Sequence, residues 1–279
     1  MCAICGCSGN HVHDHQHQHE HDGDHVHDHV DDHSHGHEHP HTHAQPHIHA
    51  RPHASHARTV NLEADILAKN NALAERNRGW FAGRGMLALN LVSSPGSGKT
   101  TLLERTIRET GSELNISVLG GDQETQNDAM RIAATGCKVL QINTGTGCHL
   151  DAEMVGRGLR ALDPPQDSVL MIENVGNLVC PALFDLGERA KVAMLSVTEG
   201  EDKPVKYPHM FRASSLMLLT KTDLLPHLEF DVERCIAYAR QVNPHIEVLQ
   251  LSAKSGAGMD RWYHWLRQQR AAQRQDAMA

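Results

Sequence analysis

Seven short apolar runs are spaced along the chain from residue 86 onwards, and polar, helix-forming stretches separate them. They predict seven strands, at 86–92, 116–119, 138–142, 168–173, 191–198, 216–220 and 247–251. Most of the intervening stretches are helical in pattern and end at Gly or Pro, as Asn127–Thr135 does before Gly136. This alternation predicts an α/β domain over 86–270, with a mostly parallel sheet covered by helices on both faces. Ligands of such sheets bind at the carboxyl ends of the strands.

A glycine-rich turn, SSPGSGKT at 93–100, joins the first predicted strand to a helix. Strand, turn and helix form the context of a phosphate-binding loop, whose backbone N–H groups surround an anion. Lys99 is expected to reach the β- and γ-phosphates, and the Thr100 hydroxyl to bind Mg²⁺. Ser93 stands where the usual pattern has Gly, and a chance glycine-rich turn is the alternative. The predicted phosphate contacts are Gly96, Ser97, Gly98, Lys99, Thr100 and Thr101.

Two later segments are typical of guanine recognition. A carboxylate after the strand at 216–220 can accept hydrogen bonds from N1–H and the exocyclic amine of guanine, which adenine does not offer. The predicted guanine contacts are Lys221, Asp223, Ser252, Ala253 and Lys254. Thr220 replaces the Asn of the usual pattern. We therefore expect a preference for guanine with weaker affinity.

Acidic residues follow two of the predicted strands. Asp122 comes after the strand at 116–119, and Glu173 ends the strand at 168–173. An acid at a strand end can bind Mg²⁺ directly or through water, so both are predicted magnesium ligands together with Thr100. With Lys99, these three residues form the predicted catalytic group. For Asp122, a turn residue is the alternative.

Cysteine and histidine occur together in the polar loops of the domain. Cys148 and His149 follow a glycine-rich loop, and Cys180 follows the segment that is expected to sense the nucleotide. Thiolate and imidazole suit nickel and zinc, so these three residues are predicted metal ligands. A metal there would be coupled to GTP hydrolysis through a short stretch of backbone. Buried structural cysteine is the alternative, and it is our interpretation of Cys137 and Cys235.

The first 58 residues differ from the rest in composition. Cys2, Cys5 and Cys7 lie close enough to converge on one metal ion, with a redox pair as the alternative. Of the 24 histidines, 19 lie between His11 and His56. The segment 11–58 is therefore predicted to be disordered and to store Ni²⁺, Zn²⁺ or Cu²⁺; a solubilising linker or a purification tag is the alternative.

Charge and hydropathy limit the class of protein. The His-rich segment carries most of the net charge of −8, so the remainder is near neutral and no nucleic-acid partner is expected. No run approaches the ~20 apolar residues of a membrane span, and no secretory signal is visible. These features predict a soluble, cytoplasmic protein without a membrane partner. A helix within 59–80, capped by Asn61 and ended by Gly79, is expected to pack on the domain.

Taken together, these residues resemble the HypB family, the nickel-incorporation GTPases of hydrogenase maturation. The resemblance covers the N-terminal cysteines, the His-rich segment, GKT at 98–100, GDQET at 121–125, CHLDA at 148–152, ENVGN at 173–177 and CP at 180–181. It implies a P-loop GTPase that binds GTP or GDP with Mg²⁺ and dimerises on GTP. It also implies delivery of Ni²⁺ to the [NiFe]-hydrogenase large subunit, together with an accessory nickel metallochaperone.

The same resemblance assigns two metal sites, which it maps onto the residues named above. The N-terminal nickel site maps onto Cys2, Cys5 and Cys7, and the nickel or zinc site of the domain onto the later three ligands. Two alternatives stay open. A urease-accessory GTPase would be expected to carry a Cys-Pro-His motif, whereas here Cys148-His149 and Cys180-Pro181 are separate. A non-enzymatic metal store is disfavoured by the intact phosphate-loop and guanine motifs.

Overall fold

The computed structural model describes residues 53–122, 127–145 and 147–278. The predictions for Cys2, Cys5, Cys7 and the His-rich segment up to residue 52 lie outside these residues, as does most of the GDQET segment.

The described residues contain a seven-stranded sheet in which every neighbouring pair is parallel, in the order β3-β2-β4-β1-β5-β6-β7. The strands are β1 Leu87–Ser93, β2 Ile116–Asp122, β3 Lys138–Asn143, β4 Val169–Glu173, β5 Ala190–Ser196, β6 Leu216–Thr220 and β7 Glu247–Gln250. All seven predicted strands and the α/β class are confirmed. The apolar runs are reliable here because strands buried on both faces are apolar throughout.

Nine α-helices and one 3₁₀ helix connect or flank these strands in the described part of the chain. The α-helices are α1 His53–Gly83, α2 Lys99–Leu114, α3 Asn127–Ala133, α4 Ala152–Leu162, α5 Cys180–Leu183, α6 Lys203–Lys206, α7 Pro208–Arg212, α8 Val232–Val242 and α9 Met259–Met278. The 3₁₀ helix is Thr222–His227. None of the described helices is long and apolar enough to cross a membrane.

Side chains of the central strand alternate between the two faces of the sheet. Leu87, Leu89 and Leu91 pack with α2 and α9 in one apolar cluster. Ala88 packs with α4 and the end of α1, and Val92 with α7 and α8. Helices therefore cover both faces, as predicted, and the carboxyl ends of the strands remain available for ligands.

Helix α1 extends beyond both of its predicted ends. It runs from His53 to Gly83, so Asn61 lies inside the helix and is not its N-terminal cap. Gly79 does not end the helix, although glycine inside a helix costs about 1 kcal/mol relative to alanine. Phe81, which is buried in the core beyond Gly79, offsets that cost because a fully buried side chain of this size contributes about 1.5–3 kcal/mol.

Candidate functional site

The phosphate loop joins the end of β1 to the start of α2, as the sequence predicts. Gly96 and Gly98 have φ angles of 73° and 97°, a region that favours glycine, and α2 begins at Lys99. Ser93 closes β1 with a negative φ, so its backbone needs no glycine. Its hydroxyl accepts hydrogen bonds from Lys99 Nζ at 2.7 Å and from Ser97 Oγ at 2.6 Å. Ser93, which replaces the Gly of the usual pattern, therefore holds the ammonium group of Lys99 by a hydrogen bond.

A cavity of about 570 Å³, which we call the nucleotide cavity, opens beside this loop. Residues 95–101, Gly120, Gly121, Asp122 and 173–176 line most of it. Thr100 Oγ1 donates a hydrogen bond to Glu173 Oε1 at 2.9 Å. Burial raises the pKa of Glu173, although the nearby Lys99 opposes that shift. Burial also lowers the pKa of Lys99, against the attraction of Glu173.

Asp122 is the last residue of β2 and lines the nucleotide cavity. The strand continues through Gly120 and Gly121, and Asp122 pairs in register with Asn143 of β3. Asp122 is therefore a strand residue, and the alternative of a turn residue is wrong. Gly121 allows the strand to continue there, because a Cβ atom at that position would collide with the Leu150 side chain. A hydroxyl and two carboxylates around one cavity form an oxygen donor set that fits Mg²⁺.

A second cavity of about 240 Å³, which we call the base pocket, adjoins the phosphate loop. It brings together all five predicted guanine contacts, namely Lys221, Asp223, Ser252, Ala253 and Lys254. Asp223 Oδ1 accepts a hydrogen bond from Ser252 Oγ at 2.6 Å. Thr220 is buried and donates its hydroxyl to Ser97 O at 2.8 Å. Thr220 therefore ties β6 to the phosphate loop, and its hydroxyl is engaged with protein instead of facing a base.

Arg105 of α2 supports two residues of the base pocket, a role that the sequence analysis did not predict. Its Nη1 donates to Ala253 O at 3.0 Å and to Lys254 O at 3.2 Å. These bonds hold the loop after β7 against α2. A charged residue one helical turn after Thr101 was the only signal in the sequence.

Cys148, His149 and Cys180, which we call the metal-ligand group, come together from the loop before α4 and from the first residue of α5. Cys180 therefore begins a helix, and the prediction that it lies in a polar loop is wrong. Their possible ligand atoms all lie within 4.8 Å of one another. The two sulfur atoms are 3.1 Å apart, and Cys148 Sγ is 3.8 Å from His149 Nδ1. Two sulfur donors and one nitrogen donor suit nickel and zinc.

The surroundings of the metal-ligand group favour the neutral form of histidine. Burial lowers the pKa of His149, while Asp151 opposes the shift. The ring packs on Phe184, with the ring centroids 4.0 Å apart. Neutral imidazole is the form that binds metals.

Cys137 and Cys235 lie outside the metal-ligand group, in agreement with our structural interpretation of them. Burial raises the pKa of Cys137 to about 11 and that of Cys235 to about 12. Cys235 is fully buried, whereas Cys137 is only half-buried against the core. The raised pKa keeps both thiols protonated near neutral pH. Since the thiolate is the form that attacks and that binds metals, neither cysteine is activated.

Helix α1 holds the segments that follow the metal ligands in place. Asn70 accepts from Ala152 N at 2.9 Å and donates to Asp185 O at 2.7 Å. Asn77 donates to Ala152 O at 2.8 Å and to Leu186 O at 3.1 Å. Helix α1 is therefore bonded to the segments that follow both groups of ligands.

Comparisons with known proteins agree with this geometry. The family model for the CobW/HypB/UreG nucleotide-binding domain matches residues 87–250. Hydrogenase maturation factor HypB of Escherichia coli K12 is 62% identical over 218 residues, which cover 78% of this chain and 75% of that protein. The factor of the same name from Cupriavidus necator is 49% identical over 317 aligned positions, which cover 95% of this chain and 88% of that protein.

Two solved structures have the same fold. HypB from Archaeoglobus fulgidus has a TM-score of 0.68 and 41% identity, over 72% of this chain and 98% of that one. HypB from Helicobacter pylori, in complex with nickel, has a TM-score of 0.69 and 33% identity, over 73% of this chain and 96% of that one. The resemblance that the sequence predicted is confirmed.

Proposed function

The chain belongs to the HypB family of hydrogenase maturation factors, and we propose that it is a GTP-hydrolysing nickel metallochaperone. It stores Ni²⁺ and delivers it to the [NiFe]-hydrogenase large subunit together with an accessory nickel metallochaperone. It acts in the cytoplasm as a homodimer that forms on GTP. The observation that carries the proposal is one stretch, 173–180, which begins in the nucleotide cavity and ends at Cys180 of the metal-ligand group.

The phosphate loop accounts for nucleotide binding in this proposal. Backbone N–H groups from Gly96 to Thr100 and the start of α2 attract the phosphates. Lys99, which is held by Ser93, exchanges that bond for contacts to the β- and γ-phosphates. Asp223 accepts hydrogen bonds from guanine, and the aliphatic stem of Lys221 covers the base. Lys221 already crosses the loop, with its Nζ 2.7 Å from Gly96 O.

Thr100, Glu173 and Asp122 are the residues that would hold Mg²⁺. When bound, Mg²⁺ neutralises charge on the phosphates and orients them. The chain itself positions the γ-phosphate with the loop backbone and Lys99, and stabilises its developing charge. We expect slow hydrolysis by the isolated chain until a partner completes the site.

Nickel is the cargo of the metal-ligand group in this account, and zinc is the competing ion. Cys148, His149 and Cys180 supply three donors, so a fourth position can be taken by water or by a ligand of the acceptor protein. Exchange of the Thr100–Glu173 bond on nucleotide binding would alter the start of the stretch 173–180. The nickel affinity would then depend on the nucleotide.

Phosphate release from GTP tests the enzymatic part of the proposal. We expect Lys99→Ala to reduce the rate at least about 100-fold, as loss of a group that stabilises transition-state charge does. Lys206→Ala is the matched control, because Lys206 is exposed and pairs only with the surface residue Asp202 among its described ion pairs. Equal rates for Lys99→Ala and the native protein would contradict the proposal and favour a nickel store without hydrolysis.

A further inference from the structure

We infer that four buried polar residues, Asn174, Asn90, Glu188 and Lys191, are positioning residues that link the nucleotide cavity to both segments that carry the metal-ligand group. We call them the buried polar chain. The inference rests on the proposed function, because it names the part of the molecule that would make nickel affinity depend on the nucleotide. None of the four belongs to the predicted ligands of either site.

The buried polar chain begins at Asn174, immediately after Glu173 in the nucleotide cavity. Asn174 is 1% exposed, and its Oδ1 accepts hydrogen bonds from Val175 N at 3.0 Å and Leu150 N at 3.1 Å. Leu150 directly follows His149. One amide oxygen therefore holds both the segment that follows β4 and the loop that carries Cys148 and His149.

Asn174 then connects to the central strand of the sheet. Its Nδ2 donates to Asn90 Oδ1 at 3.2 Å. Asn90 is fully buried in the middle of β1, three residues before Ser93 and the phosphate loop. Its Nδ2 donates in turn to Glu188 Oε1 at 3.0 Å.

Glu188 and Lys191 carry the connection to α5, which begins at Cys180. Glu188 Oε2 accepts from Leu186 N at 2.7 Å, and Lys191 Nζ lies 3.7 Å from Glu188 Oε1. The same ammonium group donates to Pro181 O at 2.9 Å and to Phe184 O at 3.2 Å. Pro181 directly follows Cys180. The second end of the chain therefore fixes the backbone beside the other thiol ligand.

The hydrogen bonds of the chain have a single consistent direction. Because Asn174 Oδ1 accepts from two backbone N–H groups, its Nδ2 must be the donor to Asn90. Asn90 must then accept through Oδ1 and donate through Nδ2 to the carboxylate of Glu188. No amide can turn over without losing partners, so displacement of one member either moves the next or leaves a buried polar group unpaired, which is costly.

The nucleotide cavity touches the start of this chain at two points. Glu173 is bonded to Thr100 of α2. A Cβ atom added to Gly176 would lie 3.0 Å from Pro95 Cα, so the backbone there packs directly on the phosphate loop. Asn174 lies between these two contacts. A nucleotide that engages Thr100 and the phosphate loop therefore acts on both sides of Asn174.

The buried polar chain is not expected to stabilise the fold more than apolar residues in the same positions would. A buried ion pair such as Glu188 with Lys191 is often no more stabilising than apolar residues of similar volume. Its consequence here is a fixed geometry that joins two segments separated in sequence. Chains of packed and hydrogen-bonded side chains can transmit coupling between two sites when both sites bias their arrangement.

The test compares nickel affinity in two nucleotide states for the full-length chain. Cys2, Cys5 and Cys7 are replaced by Ser in every protein, so that nickel–thiolate charge-transfer absorbance reports the metal-ligand group. Free Ni²⁺ is set with a chelating buffer, and each titration is made with GDP and with a non-hydrolysable GTP analogue. The variants are Asn174→Asp and Glu188→Gln, which keep the size of each side chain.

Asn174→Asp keeps the acceptor for Leu150 N but places a carboxylate oxygen opposite Asn90 Oδ1. Glu188→Gln keeps one acceptor for Leu186 N but removes the charge that faces Lys191. Asn243→Asp is the matched control, because Asn243 donates from Nδ2 to Phe211 O and Ser214 O, away from both sites. Thermal unfolding and affinity for the GTP analogue check that each protein is folded.

We expect the parent protein and Asn243→Asp to show a nickel affinity that changes about tenfold with the nucleotide. In Asn174→Asp and Glu188→Gln the ratio should fall below about twofold, with both nucleotides still bound. If only one variant folds, its ratio of nickel affinities in the two nucleotide states decides the test. If the variants keep the same nucleotide-dependent ratio of nickel affinities as the control, the inference is overturned. Unfolding of both variants would also overturn it, since the buried polar chain would then be needed for stability. A parent ratio of one would instead refute the nucleotide-dependent part of the proposed function itself.

Discussion

The nucleotide cavity and the metal-ligand group lie at the same edge of the sheet, but the chain builds them differently. Most phosphate contacts come from one continuous loop, 93–101, whose members bond to one another, as Ser93 does to Lys99. Cys148 and Cys180 lie 32 positions apart in sequence, the first in the loop before α4 and the second at the start of α5. Contacts from α1 and from the buried polar chain hold those segments in place.

This difference has consequences for both sites. A site made by one loop carries its own geometry, so its sequence motif is sufficient to predict it. A site assembled from distant segments depends on residues that bind no ligand themselves, and changes there can alter it from afar. The same dependence is what makes the metal-ligand group suitable for control by a nucleotide.

The largest effect should follow from removal of a ligand of the metal-ligand group. We expect Cys180→Ser to weaken nickel binding at this group more than about 100-fold, since loss of an outer partner alone costs 10- to 100-fold. Cys137→Ser is the control, because Cys137 lies outside the group. The measurement is the nickel–thiolate absorbance titration described above. Equal losses in the two variants would contradict the assignment.

The support from α1 is tested by Gly187→Ala. Gly187 has a φ of 88°, and a Cβ atom there would lie 2.5 Å from Ala74 O of α1. The backbone angle alone costs about 1–3 kcal/mol for a residue other than glycine, so the free energy of unfolding should fall by at least that amount. Nickel binding should weaken as well, while affinity for GTP should change little.

Gly79→Ala is the matched control for this substitution. Gly79 lies inside α1, with no atom within 4 Å of an added Cβ. It should therefore leave stability unchanged or raise it by up to about 1 kcal/mol. Denaturant unfolding measures both variants, and an unchanged stability in Gly187→Ala would refute the packing described here.

The base pocket is tested by Thr220→Asn. An Asn amide can donate to Ser97 O, as the Thr220 hydroxyl does, and its oxygen can accept from the base. One added hydrogen bond of about 0.5–1.5 kcal/mol should raise GTP affinity about 2- to 12-fold. ATP affinity should not rise equally. Thr222→Asn is the control. If GTP affinity does not increase in Thr220→Asn, Thr220 does not weaken guanine binding.

The smallest effect concerns pH and the burial of His149. Its pKa is lowered in the folded protein, so the unfolded chain takes up this proton first as the pH falls below about 6.5. Stability without metal should therefore decrease from about pH 6.5 downwards until the folded imidazole also titrates. His149→Gln should lack this part of the decrease. Denaturant unfolding across this range, compared with native protein, measures the difference; identical profiles would contradict it.

Sequence motifs located the residues that line the nucleotide cavity and the base pocket, because the signals of these motifs are local. All seven strands were found, since runs such as Leu216–Thr220 are buried throughout their length. The pockets contain each predicted phosphate and guanine contact. The use of Ser93 and Thr220 was not predicted, because their hydroxyl partners depend on side-chain geometry within the folded loop.

The metal-ligand group was predicted as the ligands of one metal site, from residue type and from the family resemblance. Residue type identified Cys148, His149 and Cys180, but no pattern in the sequence gave the distances between them. The buried polar chain was not predicted at all, because Asn90 and Lys191 interrupt apolar strands and become meaningful only when β1 and β5 are neighbours. The start of α1 was also misjudged, since Asn61 resembles a cap in sequence.

The central claim is that the nucleotide controls the affinity of the metal-ligand group for nickel. The most direct test is a Ni²⁺ competition titration of the full-length protein with Cys2, Cys5 and Cys7 replaced by Ser, first with GDP and then with a non-hydrolysable GTP analogue. We expect dissociation constants that differ about tenfold, which corresponds to roughly 1.4 kcal/mol of coupling. Equal constants in the two states would contradict the claim, and GTP would then control which partner is engaged instead of how tightly nickel is held.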